Sequence, residues 1–151
     1  MKRVLFLCVG NSCRSQMAQG FANCYGNDVM QAESAGLSPA AIIQPLTYEV
    51  MREKNVSLEG QFTKDLASVG VSNFQMLVNM SGVKLPSRIP LEVREWKVED
   101  PIGREAEVYR QVRDQIEHLV MRLILELRRE TKSKAKVTGR RVLAKLAGRR
   151  R

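Results

Sequence analysis

The sequence predicts a single α/β domain, a four-stranded parallel sheet flanked by helices, with a basic extension behind it. Three observations carry that reading. Short, continuously apolar runs recur that are too brief for helices. Segments with helical spacing or helix-start signals separate several of them, which is the pattern of a parallel sheet with crossovers. The charge is also divided: residues 1–127 carry 14 Lys and Arg against 15 Asp and Glu, net −1, while residues 128–151 carry 11 against one, net +10. The domain is therefore expected over 1–127 and the extension over 128–151.

Taken in order, Val4–Leu7 reads as a buried strand and Val9–Ser12 as a tight loop. Gly10 and Asn11 in that loop are residue types that tolerate positive φ. A helix is expected from about Ser15, because Met17, Ala18, Phe21 and Ala22 recur at helical spacing. Met30–Ser34 is a second strand and Ser38–Gln44 a loop; Pro45 suits the first turn of the next helix. Leu46, Val50 and Met51 mark that helix's apolar face, and Asn55 can close it in the left-handed conformation. A short helix over Asp65–Val69 and a third strand over Met76–Met80 follow. Glu95–Val98 is read as the fourth strand, leading directly into Asp100. From about Arg104, the residues Val108, Val112, Ile116, Leu119, Val120, Leu123, Ile124 and Leu127 form one long apolar stripe.

The first strand, loop and helix start surround Cys8. Loop N–H groups and the helix dipole converge there into an anion site, an environment that favours the thiolate form of a cysteine. Arg14 adds a planar fork that fits a tetrahedral oxyanion, and Ser15 can donate to the Cys8 sulfur. In a parallel sheet, ligands bind beyond the carboxyl ends of the strands. Cys8 follows the first strand and Asp100 the last, so both should meet at one edge.

Composition narrows the alternatives. No apolar run approaches the ~20 residues needed to span a bilayer, and the early first strand leaves no room for a signal peptide. Three cysteines, Cys8, Cys13 and Cys24, do not form a disulfide framework and suit a reducing cytoplasm. A single histidine, His118, cannot supply a histidine-rich metal site and takes no role. No metal or cofactor is expected.

The string Cys8-Val-Gly-Asn-Ser-Cys-Arg14-Ser15 resembles the active-site loop of the low-molecular-weight protein tyrosine phosphatase superfamily, which includes thiol-coupled arsenate reductases. Gln16-Met-Ala-Gln-Gly20 and Ser34-Ala-Gly36 are closer to the reductase branch. Asp100-Pro101 resembles the family's general acid. The resemblance, over about Lys2 to Leu127, implies a Rossmann-like three-layer fold of the phosphotyrosine phosphatase I type. It also implies a catalytic set of Cys8, Arg14 and Asp100, with Val9, Gly10, Asn11, Ser12, Cys13, Arg14 and Ser15 binding the phosphate or other oxyanion.

On that resemblance Cys8 would attack phosphorus, and Asp100 would protonate the leaving oxygen and then activate water. Phosphate-monoester hydrolysis through a cysteinyl-phosphate is the leading expectation, on a phosphorylated protein or small phosphate monoester. The alternative is arsenate reduction. The thioredoxin-coupled reductases carry two further cysteines after the third strand; here Ser81 stands at the first position and Val83–Pro90 supplies no second. A reductase would then need an external thiol donor such as glutathione, mycothiol or a glutaredoxin. A third reading, an inactive oxyanion-binding module, is opposed by intact Cys8, Arg14 and Asp100. Cys13 is a possible redox partner for Cys8, and Cys24 is expected in core or edge packing. Tyrosine phosphatases of the family flank the site with aromatic residues, but Leu37-Ser38 and Ile102-Gly103 stand there. Tyr48 and Tyr109 are explained by helix packing.

Lys132, Lys134, Lys136, Arg140, Arg141, Lys145 and Arg149–Arg151 make the end strongly cationic. It reads as a solvated extension. Val142, Leu143 and Leu146 permit a short amphipathic helix that could touch an anionic partner: nucleic acid, membrane or an acidic protein.

Overall fold

A computed structural model describes residues 1–149. The sheet contains β1 (Lys2–Cys8), β2 (Met30–Gly36), β3 (Met76–Asn79) and β4 (Glu92–Glu95). All pairings are parallel and the order is β2-β1-β3-β4. The helices are α1 (Arg14–Tyr25), α2 (Pro45–Arg52), α3 (Leu66–Val69) and α4 (Ala106–Gly148). From β1 the chain pairs to one side with β2 and later to the other with β3. The end of β1 is therefore the point where strand order reverses, the usual position of a ligand crevice.

β1 explains why the sheet is covered on both faces. Val4, Phe6 and Cys8 point into a cluster with Met17, Phe21 and the stripe of α4. Leu5 and Leu7 point the other way, against Phe74, Leu66 and Val69. Successive side chains of a strand alternate faces, so a strand apolar at every position must be buried twice. Ile116, Val120 and Ile124 of α4 are buried, each contributing about 1.5–3 kcal/mol by leaving water. Gly26, after α1, allows α4 to approach; a Cβ there would lie 2.6 Å from Ile124 Cγ1.

Most element positions match the sequence reading, including Asn55 at φ 57°; the short helix starts at Leu66, with Asp65 as its N-cap accepting from Ser68 N–H. The fourth strand does not. It is Glu92–Glu95, not Glu95–Val98, and β3 ends at Asn79. β4 is an edge strand whose four residues, Glu-Val-Arg-Glu, are largely exposed, so no apolar run marks it. The apolar residues that mimic a strand, Trp96 and Val98, pack on the core after β4 has ended. Two side chains also differ from expectation. Cys24 is exposed, and Tyr48 is 37% exposed, whereas Tyr109 is buried. α4 crosses residue 127 without a break, and residues 131–149 are exposed.

Candidate active site

The loop between β1 and α1 is fastened along one side. The carbonyls of Cys8, Val9, Gly10 and Ser12 accept from the N–H groups of Leu37 (3.1 Å), Ser38 (2.8 Å), Ala40 (2.9 Å) and Gln44 (3.0 Å). In a trans peptide the carbonyl and the following N–H point opposite ways. The N–H groups of Val9, Gly10, Asn11 and Cys13 therefore turn away from segment 37–44, toward the inside of the loop. The start of α1 adds its own free N–H groups and positive dipole end. The result is a cradle for a small anion.

Close approach makes this zipper possible. A Cβ on Gly36 would sit 2.7 Å from the Val9 carbonyl oxygen and 2.9 Å from Asn11 N, so only glycine fits at the end of β2. Within the loop, Asn11 takes the left-handed conformation at φ 50°, while Gly10 does not. Gly10 instead gives room beside Ser12, where a Cβ would meet Ser12 Oγ at 3.3 Å. Ser12 Oγ is buried without a hydrogen-bond partner among the described residues.

A directed chain of hydrogen bonds reaches the sulfur. Lys64 N–H donates to Asn11 Oδ1 at 3.1 Å, which fixes the amide orientation. Asn11 Nδ2 then donates to Ser15 Oγ at 2.7 Å. Ser15 Oγ lies 2.9 Å from Cys8 Sγ, placed to donate its proton when the sulfur is a thiolate. All three side chains are buried, so water does not compete for these bonds.

Arg14 is only 5% exposed. Its Nη1 donates to the carbonyls of Met80 and Val98, which joins α1 to the segments after β3 and β4. That leaves Nε and Nη2 for an oxyanion. Asp100 Oδ2 lies 3.6 Å from Arg14 Nη2, with the side chain 46% exposed. Its other oxygen accepts from Ile102 N–H at 3.1 Å. The structure thus brings Cys8, Arg14 and Asp100 to one sheet edge.

The remaining candidates separate. Cys13 is buried, and desolvation pushes its thiol up to about 12 despite a hydrogen bond with Thr47. Ser81, at the position of the expected relay thiol, is taken up in a turn. Its hydroxyl donates to Asn79 Oδ1 (2.6 Å) and accepts from Val83 N–H (3.0 Å). Leu37, whose N–H binds the Cys8 carbonyl, and Ile102, whose N–H binds Asp100, are 37% and 42% exposed.

Sequence reasoning did not find Lys64, Asn11's bond to Ser15, or the carbonyl clamp on Arg14. Backbone donors and acceptors leave no residue-type signal. Asn11 alone was legible, as a residue suited to the left-handed conformation that it adopts.

The chain is similar to known proteins. A glutaredoxin arsenate reductase from Synechocystis sp. is 34% identical over 131 residues, covering 84% of this chain and 99% of that protein. A solved arsenate reductase in its phosphate-binding state superposes with TM-score 0.78 at 33% identity, over 84% of this chain and 99% of that one. A low molecular weight protein tyrosine phosphatase from T. tengcongensis gives 0.75 at 25% identity, over 83% and 99%. The family model of the low molecular weight phosphotyrosine protein phosphatase matches residues 3–133. With its loop, arginine and acid at one sheet edge, the chain belongs to that family.

Proposed function

We propose that Cys8 forms a covalent adduct with a tetrahedral oxyanion and that the chain works as an arsenate reductase fed by an external thiol. The carrying observation is the asymmetry of the site. It offers a cradle for a bare oxyanion and, at Leu37 and Ile102, no aromatic wall for the organic group of an aryl ester. The similarity to curated arsenate reductases favours the same reading. It reverses the order expected from the residues alone, where hydrolysis led.

In the first step Cys8 sulfur bonds to arsenic(V), and a hydroxyl of arsenate leaves as water with a proton supplied by Asp100. Arg14 and the loop N–H groups hold the other oxygens, where charge builds up. A donor thiol then attacks the Cys8 sulfur. The sulfur–arsenic bond breaks, its electron pair stays on arsenic, and arsenite departs as a mixed disulfide forms. A second thiol releases Cys8 and completes the donor disulfide, so two thiols are oxidised per arsenate reduced. Ser81 cannot supply either thiol. Glutathione, mycothiol or a glutaredoxin fits the requirement.

A second reading, phosphate-monoester hydrolysis, is favoured by Asp100 lying 3.6 Å from Arg14. Cys8, Arg14 and Asp100 complete that cycle with water alone. One preparation separates the two: arsenite is measured with each donor beside phosphate release from p-nitrophenyl phosphate. Arsenite formation with glutathione and glutaredoxin, or with mycothiol, and none with thioredoxin alone, is the expected result. Phosphate release without arsenite from any donor would overturn the reductase reading in favour of the hydrolase.

A further inference from the structure

We propose that the exposed end of α4, residues 131–148, docks this protein on an anionic lipid surface. The first half of α4 needs no partner, because its stripe is buried through Leu127. From residue 131 every described position is exposed, leaving the helix free from there to Gly148, roughly 27 Å at 1.5 Å per residue. Helices of this length draw most of their stability from packing an amphipathic face.

The segment has such a face. Ala135, Val142, Leu143 and Leu146 follow the i, i+7, i+8, i+11 spacing of one helical stripe. The three large residues are 52%, 68% and 53% exposed. Val137, Ala144 and Ala147 lie off it, while Gly139 falls on it and Lys132 stands on the same face at its start. Lys136 and Arg140 border the stripe on one side, and Arg141, Lys145 and Arg149 lie on the other. No acidic residue follows Glu130. An apolar stripe bordered by cations is the form that lies in a lipid interface, with the stripe among acyl chains and the cations among phosphates.

Two rival occupants fit less well. A second copy of the helix would bring like charges together with no acidic residues to offset them. Nucleic acid would engage the cations but leave the apolar stripe in water, and no aromatic residue follows Tyr109 to stack on bases.

The geometry also fits a working enzyme on a surface. Lys2 pairs with Glu130 at 3.4 Å, and Arg128 with Asp28 at 3.0 Å. Those partners stand at the N-terminal ends of β1 and β2, whereas Cys8 closes the opposite end of β1. The helix leaves the domain from the edge away from the site, so docking keeps the mouth open to dissolved anions.

The test is cosedimentation of the full chain with vesicles of phosphatidylcholine alone or with about one third phosphatidylglycerol. Wild type should sediment with the anionic vesicles and not with the neutral ones. Combined Lys136→Gln, Arg140→Gln, Arg141→Gln and Lys145→Gln should weaken binding roughly a thousandfold. Combined Val142→Ser, Leu143→Ser and Leu146→Ser should weaken it roughly a thousandfold. All these positions lie outside the packed domain, so activity on dissolved substrate should not change. Failure to bind anionic vesicles at low ionic strength would overturn the proposal. So would serine variants that bind them like wild type, duplex DNA that strips the protein from them, or dimerisation through this helix.

Discussion

The two walls of the site are built on different terms. On the β1–α1 wall, four loop carbonyls have fixed partners and the sulfur sits at the end of a directed chain from Lys64 through Asn11 and Ser15. The opposite wall, after β3 and β4, is looser. Asp100 is half exposed, Ser81 only closes a turn, and Ile102 faces solvent. On the proposed function, the first wall would select the anion and present the nucleophile, which calls for a preformed dipole arrangement. The second would act on the adduct, and on that proposal its residues separate a reductase from a hydrolase.

The largest effect should come from the tight wall. Cys8→Ser should reduce turnover of both arsenate and p-nitrophenyl phosphate to background while oxyanion binding, measured by calorimetry, persists. Residual turnover at wild-type level would mean that the loop binds but another group attacks. On the loose wall, Asp100→Asn should slow p-nitrophenyl phosphate hydrolysis by roughly 10²–10⁴-fold, the scale of general acid catalysis. The loss should shrink for leaving groups that need less protonation. A uniform loss across leaving groups would assign Asp100 to holding Arg14 instead.

Asn11→Ala removes a side-chain link two hydrogen bonds from the sulfur while leaving the loop backbone in place. The Ser15 hydroxyl would lose its fixed direction, and kcat should fall roughly tenfold to a hundredfold with a smaller change in KM. Equal activity would show that the chain of hydrogen bonds is only structural.

The smallest effect concerns acid. Glu53, hydrogen-bonded by Arg110 and then Arg113, has its carboxyl held below the usual range. Arg94 does the same for Glu126. For carboxyls lowered in the folded state, the stabilisation is present above the unfolded value and is lost as pH falls through the folded one. The melting temperature should be level near neutrality and decline below about pH 4, where free carboxyls protonate. A decline beginning near pH 6 would assign the acid sensitivity to other groups.

The tight wall was also the legible one. A strand, a loop and a helix start are contiguous in sequence, and Cys8, Arg14 and Ser15 lie within eight residues. Residue type and spacing therefore carry the chemistry directly. The loose wall is assembled from distant segments through backbone atoms, such as the Met80 and Val98 carbonyls that hold Arg14. Any residue can supply a carbonyl, so nothing in the sequence announces it. The polar edge strand β4 was misplaced for a related reason. Its ladder with β3 is backbone bonding, while the nearby apolar residues serve the core.

The central claim is that Cys8 is a nucleophile inside an oxyanion cradle, and Cys24 provides an internal control, being exposed on α1. Iodoacetate labelling with peptide mass spectrometry, with and without phosphate, tests it directly. Cys8 should be labelled faster than Cys24 despite its burial, and phosphate should protect Cys8 but not Cys24. Faster labelling of Cys24, or no protection of Cys8 by phosphate, would contradict it.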